Sequence, residues 1–316
     1  MNDKFQLFDG LENVDFPSRP LHLAIGMFDG VHLGHRAVID AAVQSARRSG
    51  GLAAVLTFWP HPSSVMRPDR ATKLIISPET KAHLLAAAGV DAVISQRFTP
   101  EFAQIEAEFF LPHLKKFLPR LDTIYVGENW RFGRGRRGDL ALLLAEARKY
   151  GLTVFSSSRV QENGEPISST RVRGCLEEGR IEEANSLLGY TYFAEGRVQA
   201  GKNLGQKLGF PTLNLPWEPE LRPQFGVYAV RVTGPKSPRS HAGVANYGLR
   251  PTVEQSGQPR LEVHLFGLCP FDHGDEIKVE WLRFLRSEKK FGSIDALKAQ
   301  IAEDTASAKK FFSGED

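Results

Sequence analysis

The chain has 316 residues, 41% hydrophobic and 24% charged, with a formal net charge of +3. That composition belongs to a soluble globular protein with length enough for two domains. It excludes a surface that coats nucleic acid, and no apolar run is long enough to span a bilayer. Two distant cysteines, Cys175 and Cys269, lack metal-ligand spacing and read as reduced thiols in a cytoplasmic protein. Asp3, Asp9, Glu12 and Asp15 at the acidic N-terminus leave no room for the apolar segment of a signal peptide.

Residues 1–20 read as a lead-in that adds an edge strand. Leu21-His22-Leu23-Ala24-Ile25 is a short apolar run of a buried strand, followed by Gly26-Met27-Phe28-Asp29-Gly30-Val31-His32-Leu33-Gly34-His35. Helix formers then continue to Arg48, and Gly50-Gly51 ends the helix. A glycine-bearing turn between a strand and a helix is where α/β sheets bind ligands. Gly26, Gly30 and Gly34 let backbone approach a ligand or turn with positive φ. The helix start offers N–H groups and the positive end of its dipole to phosphate. His32 and His35, three apart, share one helix face and suit charge stabilisation in nucleotidyl transfer. Metal binding is the competing reading, but no Cys or third His lies nearby to complete a site.

Leu52 to Phe58 is the next strand, ending at Trp59-Pro60-His61-Pro62, a stiff loop that regular structure does not enter. It falls on the same rim as His32 and His35, which gives His61 a substrate role rather than that of a bare turn residue. Pro78 to Ala88 is a helix capped by Ser77, and the strand ending at Ile94 follows. Glu101 to Phe117 is a helix interrupted near Pro112, and Leu121 to Val126 is the fourth strand. The loop from Gly127 to Asp139 combines glycines, Trp130, Phe132 and four arginines, fit to cradle phosphates and stack on a planar ring. Asp139 caps a helix from Leu140 to Tyr150, and Leu152 to Phe155 is the fifth strand. Ser168, Ser169 and Thr170 open a helix as caps, and Arg171 and Arg173 suggest a clamp on leaving pyrophosphate. Alternating strand and helix to residue 180 predicts a doubly wound parallel sheet.

Near Leu187-Leu188-Gly189 the texture changes to short strand-like runs separated by glycine and proline turns. They predict an antiparallel β-barrel with a final helix, Ile294 to Phe312, capped by Ser293 and packed outside. The domains expected are therefore 1–186 and 187–316. Gly201, Gly205 and Gly209 recur every four residues around Lys202 and Lys207, a segment able to close over phosphate. Thr212 and Asn214 alternate to one side of a strand, where oxygen ligands hold Mg²⁺. Glu262 and His264 share a strand face. A carboxylate there is either a general base for a hydroxyl or half of an ion pair, for example with Arg286.

In sum of motifs, the chain resembles the bacterial bifunctional riboflavin kinase/FAD synthetases over nearly its whole length. Gly-Met-Phe-Asp-Gly-Val-His-Leu-Gly-His resembles the HIGH-type nucleotidyltransferase motif in its flavin form. The resemblance implies that Gly26, Phe28, Asp29, His32, His35, Ser169, Thr170 and Arg171 hold ATP. It places Thr57, Pro60, His61, Asn129 and Arg131 at FMN or phosphate. Gly-Phe-Pro-Thr-Leu-Asn resembles the riboflavin kinase signature, implying Thr212 and Asn214 at Mg²⁺-ATP and Glu262 as base. It further implies Asn246 at the kinase nucleotide and Arg286 beside the flavin. Departures from the pattern are Gln206-Lys207, Gly267, His273 and Trp130. The implied partners are ATP, riboflavin and FMN, with neither nucleic acid nor membrane. A single-activity adenylyltransferase with a regulatory barrel, or a flavin- or RNA-binding regulator, are the alternatives.

Overall fold

The computed structural model describes residues 5–201, 209–249 and 259–314. The chain divides into two compact units, Met1–Ser169 and Thr170–Asp316.

In the first unit six parallel strands form one sheet: β1 (Gln6–Asp9), β2 (Leu21–Ile25), β3 (Leu52–Trp59), β4 (Ala92–Arg97), β5 (Leu121–Gly127) and β6 (Thr153–Ser157). Their order is β1-β4-β3-β2-β5-β6, so the winding direction reverses between β2 and β5. The lead-in does supply the edge strand β1, which pairs with β4. All five residues of β2 are buried, as a central strand covered on both faces requires. Leu21, Leu23 and Ile25 enter one core with Phe110, Leu111 and Leu114 of α4 (Ala107–Phe117) and Leu143 of α5 (Leu140–Lys149). Ala24 enters the other, with Val38, Ile39 and Ala42 of α1 (Leu33–Ser49) and Leu85 of α3 (Pro78–Ala87).

Three local expectations change. The helix expected from Glu101 begins only at Ala107, and Pro112 lies inside it without breaking it. The two prolines around His61 do not exclude helix: Pro62 occupies the first position of a short α2 (Pro62–Met66), where its missing N–H costs nothing. The helix expected after Ile167 is α6 (Ser169–Glu177), and beyond Gly179, with φ 74°, comes a second helix that was not expected, α7 (Ile181–Leu188). A two-rung hairpin, β7 (Gln161–Glu162) with β8 (Glu165–Pro166), precedes them.

The second unit is a barrel of antiparallel strands: β9 (Phe193–Arg197), β10 (Leu213–Pro216), β11 (Gly226–Gly234), β12 (Ser237–Leu249), β13 (Pro259–Leu265) and β14 (Glu276–Ser287). The order is β10-β13-β12-β11-β14-β9, and the bridge between Gln199 and Asn214 nearly closes the ring. Its interior is aromatic, with Trp281, Tyr192, Tyr228 and Tyr247 fully buried. The final helix α8 (Ile294–Ser313), capped by Ser293, packs Ala308, Phe311 and Phe312 on Val227, Ala229 and Val244 of the barrel's outer face. α7 belongs with this barrel: Asn185 donates to the Trp281 carbonyl at 2.8 Å and accepts from the Tyr192 N–H at 2.7 Å.

Candidate functional sites

The loops after β2, β3 and β5 all leave the carboxyl edge of the parallel sheet, and the β2/β5 reversal opens a crevice there. The motif loop runs through it in a conformation few sequences adopt. Gly30 has φ 81°, and Phe28 and Val31 have φ 50° and 39°. Left-handed backbone in a bulky and a β-branched residue is strained and persists only where the surroundings enforce it. The Phe28 ring lies over Gly26 so closely that a Cβ there would meet it at 3.0 Å.

His32 caps α1: its Nδ1 accepts the His35 N–H at 3.2 Å. An accepting Nδ1 places the neutral ring's proton on Nε2. The two imidazoles are stacked, with centroids 3.6 Å apart and planes 14° apart, and Phe28 meets His35 edge-on. The i, i+3 spacing thus yields one paired histidine surface at the helix N-terminus.

Asp29 is turned inward. Its two carboxylate oxygens accept the Ile75 N–H at 3.0 and 3.2 Å, while its carbonyl accepts from Ser169 Oγ at 3.0 Å. Thr57, at the end of β3, donates to the Met27 carbonyl at 3.0 Å. His61 caps α2 and contacts Ser63 Oγ at 2.7 Å. Pro60 precedes it in the same loop, half-buried.

In the β5 loop Trp130 and Phe132 stack on each other at 4.7 Å and pack on Phe110, with Phe132 buried in the core and Trp130 half-buried against it. Arg134 and Arg137 pair with Glu106, and Arg131 pairs with Asp139 at 3.2 Å. Asn129 is exposed at the crest of the loop. Arg171 and Thr170 fall in the second unit, and the Arg171 guanidinium grips Glu183 of α7 at 2.8 Å.

One residue that the sequence reading passed over lies under the motif loop. Lys81 of α3 is 7% exposed and donates to Thr57 Oγ1 at 3.0 Å and to the Met27 carbonyl at 3.3 Å. Burial pushes its pKa down to about 8, against the opposing pull of Asp29. The available signal was its place in the row Lys81, Leu85, Ala88, a lysine on the apolar stripe of a helix.

In the barrel, register aligns residues that are far apart in sequence. Asn214 of β10 stands opposite Glu262 of β13, Glu262 opposite Asn246 of β12, Asn246 opposite Val227, and Val227 opposite Arg286. Directly opposed residues share a face, so four predicted site residues form one row across the barrel wall. The flanking Leu213, Leu215, Leu261 and Val263 are buried. Arg286 is not the partner expected for Glu262. Its guanidinium forks onto Asp304 of α8 with two 2.7 Å hydrogen bonds. His264 donates to the Pro211 carbonyl at 2.9 Å, beside Thr212. Gly201 lies against the Asn214 carboxamide, where a Cβ would fall 2.8 Å from Cγ. Gly209 is exposed with φ 88°. Lys202, Gly205 and Lys207 lie outside the described residues, as does Gln206.

Among the described residues, no three His, Cys, Asp or Glu side chains gather to hold a metal, and no helix is long and apolar enough to cross a membrane. Residues 17–171 match the FAD synthetase family and residues 188–312 the riboflavin kinase family. A protein of Escherichia coli (strain K12) described as a bifunctional riboflavin kinase/FMN adenylyltransferase is 39% identical over 308 residues, 97% of this chain and 98% of its own. One of Bacillus subtilis (strain 168) with the same description is 35% identical, covering 92% of both chains. A crystal structure described as a macrolide-efflux protein from Streptococcus pneumoniae superposes with TM-score 0.82 at 27% identity, over 95% of this chain and 97% of that one.

Proposed function

We propose a division of labour among the residues of this chain, which belongs to the bifunctional riboflavin kinase/FMN adenylyltransferase family. It phosphorylates riboflavin to FMN with ATP and then adenylylates FMN to FAD, releasing pyrophosphate. The observation that carries the first site is the stacked His32–His35 pair at the N-terminus of α1, on the crevice edge of the sheet. FMN phosphate oxygen attacks the α-phosphorus of ATP, and charge builds on the departing pyrophosphate. The helix N-terminus and the two imidazoles stabilise that charge where it develops. Gly26, Phe28, Asp29, Ser169 and Thr170 shape the nucleotide loop, Asp29 through its backbone. Arg171 clamps pyrophosphate, steadied by Glu183. Thr57, Pro60, His61, Asn129 and Arg131 form the FMN side.

In the kinase, Glu262 takes the proton of the riboflavin 5′-hydroxyl as oxygen attacks the γ-phosphorus of ATP. Asn214 and Asn246, on either side of it in the row, orient nucleotide and flavin. Gly201 and Gly209 flank the segment that covers phosphate. The hydroxyl and amide oxygens of Thr212 and Asn214 suit a hard cation and would hold Mg²⁺ arriving with ATP, which would supply neutralisation of phosphate charge. The functional border falls at 186/187, keeping Arg171 with the adenylyltransferase, and the enzyme works in the cytoplasm.

The test is chromatography of riboflavin incubated with Mg²⁺-ATP and the full chain. FMN followed by FAD supports both activities, whereas FAD from supplied FMN without FMN from riboflavin supports the single-activity reading. Glu262→Gln should cut riboflavin turnover by about 10²-fold, within the usual span for general-base loss. It should leave FAD synthesis from FMN intact. Turnover per folded molecule that survives in Glu262→Gln would move the base elsewhere.

A further inference from the structure

Lys81 is a buried ammonium whose hydrogen bonds go to the motif loop and to Thr57. Burying a lysine is unfavourable unless its charge has a use or a partner. Asp29, the nearby carboxylate, has both oxygens turned to the Ile75 N–H. The ammonium instead meets the Met27 carbonyl, which the Thr57 hydroxyl also meets at 3.0 Å. A carbonyl that accepts from two donors is fixed in direction, and with it the peptide that enters Phe28. Phe28 and Val31 hold their left-handed backbone only while something enforces it. The Met27 carbonyl is the point from which enforcement is applied, one residue before the strain begins.

We propose that Lys81 is a positioning residue for nucleotide binding: through the Met27 carbonyl and the Thr57 hydroxyl it locks the strained motif loop in the form that presents its N–H groups and the His32–His35 pair to ATP. The inference rests on the adenylyltransferase reading of that loop. Lys81 touches no reacting atom, so it acts on how tightly ATP is held. Thr57 is the relay: its hydroxyl donates to the Met27 carbonyl, and its oxygen accepts a hydrogen bond from the Lys81 ammonium.

The experiment is steady-state FAD formation from supplied FMN by the full chain, with ATP varied, for wild type, Lys81→Met, Thr57→Val and the double variant. Lys81→Met keeps the stem and deletes the charge. The KM for ATP should rise about tenfold in Lys81→Met and about threefold in Thr57→Val, with the KM for FMN in Lys81→Met within about twofold. The double variant should match Lys81→Met, because both groups act through one carbonyl. Riboflavin phosphorylation should not change. A structural role alone would lower the melting temperature and the active fraction but leave the KM for ATP where it was, and that result overturns the proposal. Multiplying effects in the double variant would also overturn it. Where Lys81→Met does not fold, Thr57→Val decides, and an unchanged KM for ATP there refutes the relay. If wild type makes no FAD from FMN, the function reading itself fails, an outcome distinct from any variant's behaviour.

Discussion

At the scale of single residues, the two histidines and Lys81 divide into groups that act on charge and groups that hold the chain. His35 stacks on His32 at the mouth of α1, where a lost donor to developing charge typically costs about 3–4 kcal/mol. His35→Ala should therefore slow FAD formation by about 10²–10³-fold while FMN still accumulates from riboflavin, read by chromatography. Equal loss of both products in a folded variant would mean that the two reactions share this histidine. Lys81 makes a different forecast. Its folded pKa is lowered to about 8 from 10.5 by burial. Between these values the unfolded chain binds more protons at this site than the folded one, so stability rises with pH across that window and the penalty is full below it. The gain from pH 8 to 10.5 should be about 3 kcal/mol. Urea unfolding of wild type against Lys81→Met across that range isolates it, since the variant lacks this contribution to the slope.

At the scale of elements, two helices are tied to the barrel by different means. α8 is fastened by the Arg286–Asp304 fork, whose side chains are 17% and 7% exposed. Breaking a buried pair by removing one partner costs about 3–5 kcal/mol, because the other charge is left uncompensated. Asp304→Ala should lower barrel stability by that order in urea unfolding, and Asp304→Leu with Arg286→Met should recover a large part of it. α7 is fastened by packing and by Asn185. Ile181, Ala184, Leu187 and Leu188 are buried, and Asn185 joins the Trp281 carbonyl to the Tyr192 N–H. A fragment of residues 170–316 should thus be the more stable kinase by several kcal/mol, given about 1.5–3 kcal/mol for each buried aliphatic side chain. Thermal melts of 170–316 and 187–316 decide it, and equal melting temperatures would show that α7 contributes nothing to the barrel.

At the scale of the whole molecule, the legible parts of the chain were those encoded by neighbours in sequence. A strand, a glycine turn and a capped helix start lie within the fifteen residues from Leu21 to His35, and so do the groups proposed to meet phosphate. Alternating strand and helix, giving way to short strands after Gly189, likewise determined two fold classes in one chain, because periodicity is a local property. Strand register is not local. It put Asn214, Glu262 and Asn246 in one row, and it sent Arg286 to Asp304 on a helix that pattern reading could place only somewhere outside the barrel. Trp130 and Phe132 read as a stacking pair from composition, and folding set both beside Phe110, Phe132 inside the core and Trp130 half-buried at its edge. Lys81 looked like any surface lysine, until the packing of α3 against the end of β3 left its ammonium facing the Met27 carbonyl with little water in reach. The sequence by itself determined which chemistry each half carries, since the motifs that carry it are built from neighbours in the chain. Only the tertiary structure decided which charges are buried and whom they meet, because desolvation and pairing depend on segments brought together by folding.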